Sequence, residues 1–146
     1  MDKKPTIKTY VISVSVGTGC YRHIKISGDK TLEYLHEVIL WAFDFDDDHA
    51  HAFFMDNKAW NAQGYFADFI EDEDFHTCDY TLSQVLKDKQ KFLYIFDFGD
   101  EWRFQCRVLR ITDEVCENAE IIRKVGKSPE QYPDYDEEDY YEEDYE

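Results

Sequence analysis

Alternating apolar and polar positions near the start of the chain predict two paired β-strands. The first stretch places Ile12, Val14 and Val16 on one side and valine or serine on the other. A Gly-Thr-Gly turn follows, and the stretch YRHIKIS alternates again, with Tyr21 and Arg22 on opposite sides. Period-two alternation is typical of strands that bury one face. The two stretches are therefore expected to form a β-hairpin.

Helical periodicity predicts one main helix over residues 31–43. Thr31 suits the N-cap position, and Glu33 suits the first turn because the amino end of a helix favours negative charge. The apolar positions that recur at helical spacing are Leu32, Leu35, Ile39, Ala42 and Phe43. A second, short helix is predicted over residues 81–89, with Thr81 as its cap and lysines in its last turn.

A second hairpin is predicted over residues 91–111. Its expected loop is Gly99-Asp100, because two-residue hairpin loops need residues that accept a positive φ. This loop places Asp97 opposite Trp102. The other expected neighbours are Ile95 with Phe104 and Leu93 with Cys106 on the apolar face, and Phe92, Tyr94 and Phe96 with Arg107, Gln105 and Arg103 on the other. A three-residue loop with a left-handed Gly99 would shift this register and remains an alternative.

Together these segments predict a single α+β domain with a mostly antiparallel sheet, the main helix on one face and the second hairpin at its centre. Further strands are expected in residues 49–55 and 120–126, and residues 65–80 are expected to be irregular. The domain is assigned to residues 1–131, followed by an acidic, tyrosine-rich tail over residues 132–146. With 146 residues and 43% hydrophobic content, the chain can bury a core without disulfides, and its four cysteines are expected to be reduced.

Charge is distributed unevenly along the chain. The net charge is −17, and the last thirteen residues hold nine carboxylates and no lysine or arginine. The remainder is acidic as well, and its local basic spots are confined to short stretches at 103–110 and 123–127, so we expect no direct binding of nucleic acid. No apolar run approaches the roughly 20 residues of a membrane helix. The start lacks the apolar core of a signal peptide, which predicts a cytoplasmic protein.

The stretch YIFDFGDEW contains the Asp-Phe-Gly triplet that holds magnesium in protein kinases. The chain lacks the catalytic loop and the Gly-rich strand pair that accompany this triplet in kinases. Asp97 is therefore expected to accept hydrogen bonds from the backbone of the turn. The alternative is a role in a site at the end of the sheet, since a carboxylate beside an apolar face must be paired or hydrogen-bonded.

Two histidines offer a second candidate site. His49 and His51 share one face of a predicted strand and follow the aspartates at 46–48. Imidazole and carboxylate groups are common ligands of divalent metals. The alternative is a solvated acidic loop with a half-buried histidine. No serine lies in a nucleophile elbow, and no cofactor is expected.

Several blocks of the sequence, in order, resemble the Ri-plasmid third-open-reading-frame-like (plasmid pRi ORF-3-like) proteins. The blocks are TLEYLHEVILWAF…DDDHAHAFF, TLSQVL, YIFDFGDEW and GKSPEQYP, and the likeness runs from about Tyr10 to Pro133. Its most specific part, Tyr-x-(Tyr/Phe)-Asp-Phe-Gly-Asp-x-Trp, spans Tyr94 to Trp102. Some members of this family are also labelled insertion-element passenger or TnpR-like proteins, which associates them with mobile elements.

The resemblance implies an α+β fold without an established activity. The residues it suggests for binding are Tyr21, Arg22, His49, Tyr94, Asp97, Asp100 and Trp102. Members often carry a histidine two residues after the tryptophan, where this chain has Phe104, and the acidic tail is not part of the family pattern.

These observations favour a non-catalytic interaction module that engages a protein or basic partner. The acidic, aromatic tail is expected to bind that partner, or else to fold back on Arg103 and Arg107. The alternative function is a metal-dependent enzyme that uses the His49/His51 and Asp97/Asp100 region. An enzyme would require those groups to converge in one pocket.

Overall fold

One antiparallel sheet organises the residues that this computed structural model describes, 7–62 and 64–132. The elements in chain order are β1 (Thr9–Ser15), β2 (Tyr21–Ser27), α1 (Leu32–Phe43), β3 (His51–Phe54), β4 (Gly64–Phe66), a 3₁₀ turn (Thr77–Asp79), α2 (Leu82–Val85), β5 (Lys91–Phe96), β6 (Trp102–Thr112) and β7 (Glu120–Val125). The seven strands lie in the order β4-β3-β5-β6-β1-β2-β7. The prediction of a single α+β domain with a mostly antiparallel sheet is confirmed. The predicted tail lies outside the described residues from position 133 onward.

The first hairpin follows the predicted alternation. Ile12 pairs with Ile24, and both are fully buried on the side of the sheet that packs against α1. The next pair, Ser13 with His23, faces the opposite side. Because β1 also pairs with β6 and β2 also pairs with β7, neither strand of this hairpin lies at an edge of the sheet.

The main helix begins and ends close to the predicted positions. Thr31 caps its amino end, where its hydroxyl accepts a hydrogen bond from the backbone N–H of Tyr34 at 3.1 Å. The helix ends at Asp44, which has a left-handed φ of 61°. Its buried side includes Leu35, Ile39 and Phe43, which join the main core with the inner residues of the sheet. No helix in the described ranges has the length and apolar character needed to span a bilayer.

The predicted register of the second hairpin is wrong by one residue. Phe96 pairs with Trp102, and Tyr94 pairs with Phe104 inside the main core. Arg103 lies opposite Ile95 on the other side of the sheet. The predicted contacts of Arg103 and Arg107 with the rings of Phe92, Tyr94 and Phe96 are therefore wrong.

The loop explains this shift of register. It has five residues, 97–101, and neither Gly99 nor a two-residue turn sets its shape. Asp97 and Glu101 hold the positive φ angles, at 69° and 52°. The backbone N–H of Asp97 donates to the carbonyl of Ala50 at 2.8 Å, so a contact with the chain before β3 holds the loop.

The second helix is shorter than predicted. It spans Leu82–Val85 instead of 81–89, and the lysines expected in its last turn lie beyond its end. Its cap is as expected, since Thr81 and Gln84 form a capping box. Residues 65–80, expected to be irregular, contain most of β4 and the 3₁₀ turn.

The side of the sheet opposite α1 is covered over only one half. On β3 and β5, Ala52, Phe54, Leu93 and Ile95 form a second apolar cluster, packed against Ala59, Phe66 and Phe98. On the other half, most outward side chains of β6, β1, β2 and β7 are exposed or half-buried. We call this β6-β1-β2-β7 half the open face.

Candidate binding surfaces

Arg22, expected in a binding site, is fully buried on the helix side of β2. Its guanidinium donates hydrogen bonds of 2.9–3.1 Å to the carbonyls of Tyr21, Ala42 and Val125 and to the hydroxyl of Ser128. It also lies 4.7 Å from the ring centre of Phe43. Among the described residues, no carboxylate forms a salt bridge with it. The side chain therefore ties β2, the end of α1 and the chain after β7 together.

Tyr94 is also fully buried and takes part in a hydrogen-bonded chain. Its hydroxyl lies 2.6 Å from Nδ1 of His36, and Nε2 of His36 lies 3.0 Å from the carboxylate of Asp47. A carboxylate only accepts, so Nε2 carries the proton and Nδ1 accepts from the tyrosine. Burial raises the pKa of Tyr94 well above its ordinary value. This residue therefore holds the core together and is not reachable by a ligand.

His51 stacks on His36, with ring centres 3.6 Å apart, and its Nε2 lies 2.8 Å from the hydroxyl of Thr77. Burial, followed by the neighbouring His36, lowers the pKa of His51 to about 2. His49 lies apart from this pair and contacts Tyr132 and Asp97. Over residues 7–62 and 64–132, no group of three or more histidine, cysteine or acidic side chains is arranged to hold a metal ion.

The tip of the β5–β6 hairpin contains the remaining predicted polar residues. Asp97 Oδ1 accepts from the backbone N–H groups of Gly99 and Asp100, at 3.1 and 3.2 Å. Its other oxygen lies 3.4 Å from Nε2 of His49. That nitrogen is also 2.7 Å from the hydroxyl of Tyr132. The tip thus connects to the last described residues of the chain.

Trp102 packs edge-on against Phe45, with ring centres 4.9 Å apart. It is half-buried against the main core. Its indole N–H is buried and has no hydrogen-bond partner among the described residues. Trp102 therefore contributes apolar contact to the core.

Tyr21 is the one predicted binding residue on the open face. Next to it, a row of side chains runs across five strands, from β5 to β7, perpendicular to the strand direction. Its members are successive cross-strand partners: Lys91, Arg107, Ser13, His23 and Arg123. We call these residues the basic row. Lys91, Arg107 and Arg123 are exposed, and no described carboxylate forms a salt bridge with any of them. A chain of net charge −17 thus presents one positively charged stripe.

The positive charges of the basic row affect the pKa of His23. Burial, Arg123 and Arg110 each lower the pKa of its imidazole. The His23 ring is tilted against Tyr21, with ring centres 5.2 Å apart, and the guanidinium of Arg123 lies 5.9 Å from the Tyr21 ring centre. Two acids at the ends of β6 are paired with other bases: Glu101 with Arg103 and Glu114 with Lys25.

A second surface lies on the covered half of the same side. A groove of about 550 Å³ runs beside the edge strand β4. Its aromatic lining consists of Phe54, Trp60, Phe66, Phe75 and Phe98, and its acidic lining of Glu73 and Asp74. Trp60 packs edge-on against Phe54 and Phe98, with ring centres 5.3 and 4.9 Å away. Its indole N–H donates to Glu101 at 3.2 Å.

The sequence signals for both surfaces were present but incomplete. Arg103, Gln105 and Arg107 alternate with buried residues, which places them on one side of a strand. Their alignment with His23 and Arg123 depends on the strand order. The groove is built from two stretches, around Trp60 and around Phe75, that carry no regular periodicity.

A seven-stranded antiparallel sheet with one main helix defines a single-domain α+β protein. The model of the family described as plasmid pRiA4b ORF-3-like protein matches residues 10–142. The chain belongs to this family, which confirms the resemblance seen in the sequence. The match overlaps most of the acidic segment.

A solved structure gives a similar result. A crystal structure of a protein of unknown function from Methanosarcina mazei Go1 aligns with a TM-score of 0.67 and 26% sequence identity. The alignment covers 84% of this chain and 72% of that one. The comparison with curated proteins gives no match.

Proposed function

We propose that the protein is a non-catalytic interaction module that binds a protein partner with a basic surface. The observation that carries this proposal is the groove beside β4, where five aromatic side chains and two carboxylates line one depression. Aromatic residues are enriched in protein interfaces, and tryptophan is among the residues whose loss most often weakens binding. Carboxylates at the same place favour a partner segment that carries lysine or arginine next to apolar side chains.

The aromatic lining itself favours a cation. A lysine or arginine side chain that lies over Trp60 or Phe75 gains about 0.5–1 kcal/mol from each ring at an exposed site. Both rings are available, since Trp60 is 45% and Phe75 is 50% exposed. Glu73 and Asp74 add a longer-range attraction.

The backbone at Trp60 supports a formed site. Its φ is 60°, a left-handed angle that is rare for a bulky residue. Such an angle persists only where the surrounding contacts hold it. Here those contacts are the packing on Phe54 and Phe98 and the hydrogen bond to Glu101. The groove is thus shaped before a partner arrives.

The arrangement of the predicted polar residues also favours binding over catalysis. Tyr94 and Arg22 lie inside the core, and His36 and His51 use their ring nitrogens on Asp47, Tyr94 and Thr77. The exposed His49 contacts Tyr132 and the buried Asp97, and Asp97 accepts hydrogen bonds within the hairpin tip.

A peptide-binding measurement tests this proposal. The probe is a fluorescein-labelled synthetic peptide that alternates lysine and leucine, titrated with the full chain and followed by anisotropy. Trp60→Ala is expected to weaken binding at least about tenfold, the loss typical of a central aromatic contact. Trp41→Ala is the matched control, because Trp41 is 63% exposed but lies on α1 outside the groove. Equal affinity of the two variants would show that the peptide binds by charge alone and would contradict the proposal.

A further inference from the structure

The open face carries a positive stripe that none of the described elements covers. Lys91, Arg107 and Arg123 keep their charges exposed, while the rest of the chain is strongly acidic. We propose that the basic row is the docking surface for the chain's own acidic segment, residues 134–146. This contact is separate from the groove beside β4 and does not depend on the function proposed there.

Charge complementarity is the first argument. The segment DYDEEDYYEEDYE holds nine carboxylates and no base. Lys91, Arg107 and Arg123 have no carboxylate within salt-bridge distance in residues 7–62 and 64–132. Arg110, one level along β6, is also without such a partner. A single exposed ion pair is weak, so the segment would be held by several pairs together.

The place where the described chain ends makes the contact reachable. The hydroxyl of Tyr132 lies 2.7 Å from His49, which in turn contacts Asp97 at the hairpin tip. The start of β6, at Trp102, follows directly after that tip. From there Arg107 is about 17 Å along the strand, and Arg123 is about 14 Å further across the sheet. Thirteen extended residues span about 45 Å, which is enough to follow this path.

The tyrosines of the segment suit the same face. The segment contains four tyrosines among its acids. On the open face, the guanidinium of Arg123 already lies over the ring of Tyr21 and donates to its hydroxyl at 3.2 Å. Arg107 offers a comparable guanidinium with no described partner. A segment that alternates rings and carboxylates can give an arginine both a ring and a counter-charge.

Net charge favours this occupant over a nucleic acid. The chain without the segment still has a net charge of −8, and this charge repels a phosphate backbone at long range. A covalently attached segment competes at an effective concentration of about millimolar. The attached segment is therefore expected to occupy the basic row in preference to a free nucleic acid.

The experiment uses the full-length chain and a variant in which all nine carboxylates of residues 134–146 are changed to the corresponding amides. The readout is the NMR titration of His23, whose neighbours on the open face are Arg123, Arg110, Tyr21 and Ser13. The native chain is expected to show a higher pKa for His23 than the amide variant. The difference should disappear at about 1 M salt, where the Debye length falls to about 3 Å.

Charge variants of the face provide the control. Changing Arg107→Gln and Arg123→Gln together should abolish the difference between the native segment and its amide form. The double variant Lys30→Gln and Lys58→Gln removes the same charge outside the row and should preserve the difference. Equal His23 titrations in the native and amide chains would overturn the proposal. A difference that depends on protein concentration would also contradict the proposal, because it would assign the contact to a second copy of the chain. So would resonances of Arg107 and Arg123 that are the same in the native and amide chains and shift only when a single-stranded oligonucleotide is added.

Discussion

Tyr94 donates its hydroxyl proton to Nδ1 of His36 across 2.6 Å, in the centre of the core and between β5 and α1. Asp47 fixes this direction because its carboxylate requires the proton on Nε2. Helix and sheet are thus joined by a polar contact inside an otherwise apolar interface. Stability, and not ligand binding, is the property that this contact controls.

Changing Tyr94→Phe should lower the free energy of unfolding by about 1–3 kcal/mol, because the buried Nδ1 of His36 loses its donor. Urea unfolding at pH 7.5 measures this difference. The control is Tyr34→Phe, since the hydroxyl of Tyr34 has no partner among the described residues; it should change stability by less than about 0.5 kcal/mol. A neutral effect of Tyr94→Phe would show that the bond adds nothing to the fold.

Stability should decrease as the pH falls below about 6.5. Burial lowers the pKa values of His36 and His51 in the folded protein, that of His51 to about 2, whereas both return to about 6.5 on unfolding. In this window the unfolded chain binds protons that the folded chain cannot, so the free energy of unfolding falls by up to about 1.4 kcal/mol per pH unit for each histidine.

The variant His51→Gln isolates one of these histidines. Its unfolding free energy should depend less steeply on pH between 6.5 and 5 than that of the native protein, while the two slopes should agree above pH 7.5. Urea unfolding at several pH values provides the measurement. Identical slopes over the acidic range would mean that His51 becomes protonated without unfolding.

Asp97 should tolerate asparagine better than alanine. Its Oδ1 accepts two backbone N–H groups, and its φ of 69° is one that asparagine accepts readily. Asp97→Asn should cost about 1 kcal/mol or less, and Asp97→Ala about 2 kcal/mol, because alanine supplies no acceptor and suits this angle poorly. Thermal unfolding of both variants checks the order, and equal costs would contradict a structural role for the acceptor.

The full-length chain should not bind duplex DNA at about 0.15 M salt. Duplex binding draws its energy from many phosphate contacts to lysine and arginine, and this chain has 16 such residues against 33 acids. Anisotropy with a labelled duplex should show no saturation below about 100 µM. Saturable binding at micromolar concentration would contradict this expectation.

Local signals in the sequence were sufficient for most of the elements. The alternation in β1 and β2 and the spacing of Leu32, Leu35 and Ile39 result from burial of one face, which the sequence records directly. The register of β5 and β6 could not be predicted because a contact outside the hairpin, from Asp97 to Ala50, sets the loop.

The binding surfaces were harder to predict for the same reason. Arg107, His23 and Arg123 come from three separate stretches, and only the strand order brings them into one row. In the sequence Arg107 lies 84 residues after His23 and 16 residues before Arg123, so no single stretch shows the positive charge that the folded row collects. Arg22 was expected in a site because the sequence does not show that Val125 and Ser128 enclose it.

The position of β1 between β2 and β6 has a consequence for synthesis of the chain. During synthesis β1 receives its second partner only when residues 102–112 have been made, since Ser13 pairs with Arg107. At about 5–20 residues per second, the edge of the first hairpin stays unpaired for several seconds. During that time its backbone N–H and carbonyl groups can pair with other nascent chains. A chaperone that covers this edge would therefore raise the yield of native protein. Slow translation after residue 112 would do the same, because it gives β6 time to pair with β1.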